Sequence, residues 1–191
     1  MRIIAGRFRG RILRAPAGET TRPTTDRVRE AVFSAVAALA GSDLGGGAVL
    51  DAFAGSGALG LEALSRGCTR AVFAEHDRGA LAALAANIGS LDAIADTRVI
   101  AADVLVAAVR GSLPGGPFAL LLLDPPYRLD AAKVAGLIRD LAANDLLVDG
   151  AIVVWEHASG SEPPWPDGFG RLKRKRYGTT EVDIAVYERG A

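Results

Sequence analysis

Two short stretches of this chain carry residues whose types and spacing could do chemistry. The sharper is Asp124-Pro125-Pro126-Tyr127, directly after the apolar run FALLLL. Successive prolines restrict the backbone, so the Asp124 carboxylate and the Pro125 carbonyl are held in place. An amine attached to an aromatic ring is a poor nucleophile, because its lone pair is delocalised. Two oxygen acceptors on its N–H groups draw the nitrogen toward tetrahedral geometry, and a ring such as Tyr127 can stack on the base and set its plane. Transfer of an activated methyl group then needs placement and electrostatics more than a strong base. That fits a tetrad without a His. A stacked base cannot enter such a pocket, so the target is unpaired or flipped out. The competing reading is a plain Pro-Pro loop.

The second stretch is Asp51-Ala-Phe53-Ala-Gly55-Ser56-Gly57-Ala-Leu-Gly60. Its glycines spell G-x-G-x-x-G between a strand and a helix, where the backbone must turn tightly and approach a ligand. Glu75 follows Gly55 by 20 residues. A carboxylate there can accept from both ribose hydroxyls of an adenosine-containing cofactor. A nicotinamide dehydrogenase would show the same loop and acid. Asp51 argues against a pyrophosphate, which it would repel, and for a ligand bearing an ammonium group, such as S-adenosylmethionine. Asp103 closes the next strand and can accept from an adenine amine. The alternative for Asp51 and Asp103 is a helix N-cap.

The surrounding pattern supplies elements to position both stretches. AVLDAFA, AVFAEHD, TRVIAAD, FALLLLD and AIVVWEH read as strands, and apolar runs that do not alternate fit strands covered on both faces. Helical stretches separate them: ALGLEALSRG, RGALAALAANIGSL, VLVAAVRG and AAKVAGLIRDLAAN. This alternation predicts an α/β open parallel sheet. RLKRKRYG and EVDIAVYERG have no helix between them and predict a terminal antiparallel hairpin. Ahead of the unit, RIIA and RILR flank GRFRG as a basic β-hairpin. A helix capped by Thr24 or Thr25 follows, with Val28, Val32, Val36 and Leu39 on one face. The GSDLGGG stretch divides an extension, residues 1–42, from a main unit, residues 43–191.

Total charge is zero, but the distribution is uneven. Residues 1–30 carry net +5, residues 31–170 net −8 and residues 171–191 net +3. Nineteen of the 22 basic residues are Arg, the side chain suited to bidentate phosphate contacts. Basic ends around an acidic middle point to a polyanionic partner or to solvated surface. One Cys and two His make a poor metal-site inventory. No apolar run is long and charge-free enough to span a membrane, and the Arg-rich start lacks the apolar core of a secretory signal. A cytoplasmic monomer without a metal is the expectation.

The motifs RIIAGRFRGRIL, RPTTDRVREAVF, LDAFAGSGALGLEALSRG and LLLDPPY, in this order, resemble the RsmD family of class I methyltransferases across nearly the whole chain. The resemblance implies a Rossmann-like, mostly parallel seven-stranded sheet with a small N-terminal β-hairpin. It implies methyl transfer from S-adenosylmethionine to the N2 amine of a guanine in 16S rRNA, with the 30S subunit or an assembly intermediate as substrate. On matching positions, Asp51, Gly55, Gly57, Glu75, Asp103 and Asp124 line the cofactor site, with Phe53, Ser56, His76 and Val104 beside them. Thr24 and Thr25 sit near the methionine end. Asp124 to Tyr127 hold the guanine, and many relatives have Phe in place of Tyr127. Arg7, Arg9, Arg11, Arg22, Arg27 and Arg29 are candidate RNA contacts, with a role on the helix surface as the alternative for Arg27 and Arg29. Arg171, Lys173, Arg174, Lys175 and Arg176 are further candidates; strand alternation turns only about half of that cluster to one face, with Arg174 and Arg176 put forward from it. Three alternatives stay open: an amino-methyltransferase acting on adenine N6 or a protein glutamine, a non-enzymatic RNA-binding assembly factor, and, more distantly, a nicotinamide oxidoreductase.

Overall fold

The computed structural model describes residues 1–16, 26–40 and 44–190. Its elements run α1 (Asp26–Ala40), β1 (Ala48–Asp51), α2 (Ala58–Ser65), β2 (Arg70–Glu75), α3 (Arg78–Ser90), β3 (Thr97–Ala101), α4 (Val104–Val109), β4 (Phe118–Leu123), α5 (Ala131–Ala143), β5 (Leu147–Ala158), β6 (Phe169–Tyr177) and β7 (Thr180–Tyr187). The strands form one seven-stranded sheet in the order β3-β2-β1-β4-β5-β7-β6. The first five are mutually parallel, and β7 runs antiparallel to both β5 and β6. This is the Rossmann-like arrangement expected, with the terminal hairpin at one edge.

Continuous apolar runs are required because helices cover both faces. Val49, Leu120 and Leu122 join a core with residues of α1, α2 and α3. Their neighbours Leu50, Leu121 and Leu123 join a second core with α4 and α5. Full burial of each such side chain is worth roughly 2 kcal/mol. The pattern fails at β3, whose Val99 is 41% exposed. As the outermost strand, β3 has a neighbour on one side only.

The N-terminal hairpin forms, but with a single bridge, Arg2 to Ile12. Its ladder is short because the arm's backbone donors go elsewhere. Ile4 and Ala5 donate to the Glu62 carboxylate at 2.8 and 3.1 Å, and Phe8 donates to Ser65 Oγ at 2.9 Å. Glu62 is fully buried in α2 and also accepts from Arg66 Nε at 2.6 Å. A buried carboxylate persists only with such partners. Ile3 and Leu13 of the hairpin and Phe33 of α1 share the core that includes Val49 and Leu61. On α1, Val32 and Val36 are buried and Val28 is partly so, whereas Leu39, in the last turn, is 45% exposed. Thr24 and Thr25, proposed as caps, and the border at residue 42 lie outside the described residues. Among the described residues no helix is long and apolar enough to cross a membrane.

Candidate functional site

Strand order reverses direction between β1 and β4, and ligands of open α/β sheets bind beyond the carboxyl ends at such a point. The glycine loop leaves β1 there and the tetrad leaves β4. Asp51 pairs in register with Leu122, so Asp124 emerges two residues beyond, beside the loop.

The loop is built to approach closely. Gly57 has φ of +82°, and a Cβ there would stand 2.4 Å from Leu84 Cδ1. Gly60 packs against the Phe73 ring, where a Cβ would also fall at 2.4 Å. Asn87 of α3 is buried and donates to the Ser56 carbonyl at 2.8 Å, while its Oδ1 accepts from Arg14 N at 2.7 Å. It ties loop, helix and N-terminal segment together. The local signal for this role is an Asn on the buried side of ALAALAANIG, absent from the candidates named above.

Asp51 accepts from Gly60 N–H at 2.9 Å through Oδ2, while Oδ1 is buried without a hydrogen-bond partner. Burial pushes its carboxyl up to about 7, with nearby Asp124 and Glu75 adding to the rise against the Gly60 bond. Burial likewise raises Asp124 to about 6. Two neighbouring carboxyls near neutrality, one with an unmatched oxygen, give this end of the sheet an electrostatic preference for a cation. Glu75 accepts from Gly55 N–H at 2.8 Å on Oε2, and from His76 and Asp77 N–H at 2.7 and 2.8 Å on Oε1. These bonds fix the side chain. They leave Oε2 with one further acceptor position, rather than a pair for both ribose hydroxyls.

The remaining cofactor-side candidates separate. Phe53 is partly buried beside the second core, Val104 is buried within it, and Ser56 is buried with Oγ 3.9 Å from the Met1 sulfur. Asp103 caps α4 through a 2.9 Å bond from Leu105 N–H, the N-cap alternative realised. The His76 side chain is 74% exposed, 3.8 Å from Glu75 Oε1. At the tetrad, Pro125 is partly covered and Pro126 exposed. Tyr127 is 65% exposed, and its hydroxyl lies 3.0 Å from Thr180 Oγ1 at the start of β7. Thr180 was missed, since nothing local in the sequence marks it as neighbouring this site, and the exposed Arg128 was missed although it directly follows Tyr127. Among the described residues no three metal-ligating side chains gather.

The basic residues divide more sharply than expected. Arg29 is 1% exposed and bonds to the Arg2 carbonyl and Asp26, with Glu62 at 3.9 Å. It is a core residue clamping α1 to the hairpin, and so corrects the expectation of an RNA contact. Arg7 pairs with Asp96 at 2.6 Å, and Arg11 donates to the Ser90 carbonyl. Ser65 and Ser90 end α2 and α3, and Asp96 immediately precedes β3. The hairpin tip therefore sits at the end of the sheet where strands begin, on the order of 15–20 Å from the tetrad. A cavity of about 620 Å³ lies at that same far end, between Arg7, Ala37, Leu44, Arg66, Thr69 and Asp96. Arg9 and Arg27 are exposed and, among the described residues, carry no ion pair, while Arg22 lies outside those residues. Arg174 makes two bonds to buried Asp183 at 2.7 and 2.8 Å, and one to Glu162 at 2.6 Å. That structural engagement takes it out of the free cations. Arg176 is exposed, with Nε bonded to the Gly178 carbonyl at 3.2 Å.

Comparison with known proteins matches residues 1–186 to the family described as Conserved hypothetical protein 95. The Escherichia coli (strain K12) protein named Ribosomal RNA small subunit methyltransferase D is 35% identical over 192 residues, covering all of this chain and 91% of the relative. YlbH of Bacillus subtilis is 36% identical over 190 residues, 99% of each chain. The solved structure of yhhF from Escherichia coli superposes with a TM-score of 0.81 at 35% identity, covering 98% of both chains.

Proposed function

The chain belongs to the RsmD family of methyltransferases, and from that premise we propose that it methylates the exocyclic N2 amine of a guanine in 16S rRNA of the small ribosomal subunit. The relatives' names support RNA of that subunit as the substrate class. The observation that carries the reading is the meeting of glycine loop and tetrad, with Asp124 two residues past the Asp51 partner.

S-adenosylmethionine supplies a sulfonium-activated methyl group when bound. The residues present fit it: the unmatched Asp51 Oδ1 suits an ammonium, Glu75 Oε2 retains an acceptor position for a ribose hydroxyl, and Gly55, whose N–H bonds Glu75, has open space where a Cβ would stand. Asp124 Oδ and the Pro125 carbonyl accept from the guanine amine. The exposed Tyr127 ring offers a face for the base, its tilt set through Thr180. With a carboxyl raised to about 6, Asp124 can take the amine proton as the methyl arrives.

The test is methyl transfer to 30S particles from cells lacking this protein, followed by nucleoside digestion. N2-methylguanosine is expected. N6-methyladenosine would replace this reading with the adenine one. Asp124→Ala should abolish transfer while circular dichroism stays native; full activity in that variant refutes the assigned role.

A further inference from the structure

The tail cluster presents two chemically different faces. A bulge between Arg171 and Lys173 inserts the 57% exposed Leu172. Beyond it, Lys173, Lys175 and Tyr177 pair with Ile184, Val182 and Thr180 on one face, while Arg174 and Arg176 pair with Asp183 and Glu181 on the other. The arginine face is matched with acid: Glu162 receives Arg171 and Arg174, and Asp183 receives Arg174. Lys173 and Lys175 are exposed and, among the described residues, carry no ion pair.

That free face is continuous with the tetrad. The Tyr127 hydroxyl bonds to Thr180, which shares a face with Tyr177 and the two lysines. Arg128, next to Tyr127, is also exposed and carries no ion pair among the described residues. Along a strand, alternate residues stand about 7 Å apart, so Lys175 and Lys173 step away from Tyr127 at regular intervals. Ala31, Val32 and Ala35 of α1 line the same face. The acid exposed nearby on α1 is Glu30.

Resting on the methyltransferase reading above, we infer that Arg128, Lys175 and Lys173 form a track for the sugar–phosphate backbone of the single-stranded RNA flanking the target nucleotide. A nucleotide drawn from its stack needs its neighbours' phosphates held, and unpaired cations leading from the stacking ring do this without reading sequence. Arg174 is excluded by its carboxylates, and Arg176 by its face. Tyr127 and Thr180 fix where the track begins.

The experiment measures binding of the full chain to unmethylated 30S particles across a salt series, with methyl transfer and S-adenosylmethionine affinity as separate readouts. Arg128→Ala, Lys175→Ala and Lys173→Ala should each weaken particle binding about three- to tenfold, and each should lower the slope of log affinity against log salt by about one. KM for particles should rise with kcat and cofactor affinity unchanged. Arg176→Ala should match wild type. Unchanged affinity and slope in the three variants, or an equal loss in Arg176→Ala, would overturn the track. Wild type that binds particles but transfers no methyl group defeats the methyltransferase reading alone, and the track is then judged on the binding shifts.

Discussion

Replacing Asp51 with Asn should make the cofactor-free protein more stable at pH 8 and no better at binding S-adenosylmethionine. The reasoning starts from one oxygen. Asp51 Oδ1 is buried and unpartnered, and burial with the nearby Asp124 and Glu75 raises the carboxyl to about 7. An unfolded Asp titrates near 4. Between those values the folded chain holds a proton that the unfolded chain has released, so stability falls as pH rises through the window. Each unit of displacement is worth roughly 1.4 kcal/mol, so the full penalty above pH 7 is about 4 kcal/mol, against about 1.4 kcal/mol at pH 5. Asparagine keeps an acceptor for Gly60 N–H and removes the charge. Thermal unfolding of wild type and Asp51→Asn at pH 5 and pH 8 isolates the effect. The variant's advantage should grow by about 2.7 kcal/mol between them, or roughly 5–11 °C in a domain of this size. Calorimetry should show cofactor binding tightening from pH 5.5 to 8 in wild type, because an ammonium favours ionised Asp51, and a weaker, flatter profile in the variant. A stability difference that does not change with pH would refute the reasoning.

Four other outcomes follow from the same structure. Glu62→Ala strips a fully buried carboxylate from Ile4, Ala5 and Arg66 and leaves Arg29 without its buried acid; a loss of about 3–5 kcal/mol in urea unfolding is expected. Gly57→Ala meets Leu84 at a left-handed φ, and should lower the melting temperature and cofactor affinity together by calorimetry. Thr180→Val removes the hydroxyl partner of Tyr127; methylation kinetics should show a few-fold loss equal to that of Tyr127→Phe, with no further loss in the double variant. Cys68, buried with its thiol pushed up to about 12 by desolvation, should resist thiol reagents in the native state and react at the rate of unfolding.

Much of the fold and the central pair of motifs was legible in one dimension. Runs such as FALLLL and AVFAE have no polar alternation because helices cover both sides of those strands, and that is a local property. G-x-G-x-x-G and Asp-Pro-Pro-Tyr are legible because tight turns and rigid acceptors demand particular residue types at adjacent positions. The hairpin's partner in the core was not legible. Nothing in ALGLEALS shows that Glu62 will be buried under Ile4 and Ala5, 58 and 57 residues away. Arginine is the same letter whether it meets solvent or carboxylate. Arg29 reads like Arg27 in sequence, and only the packing of α1 on the hairpin buries the first and leaves the second in water. In the tail, the bulge at Leu172 shifts the alternation, and the acids that neutralise Arg171 and Arg174 come from Glu162 and Asp183. Periodicity and turn chemistry act between neighbours and so are written along the chain. Burial, pairing and the environment of a charge depend on residues brought together from far apart, and the folded structure alone decides them.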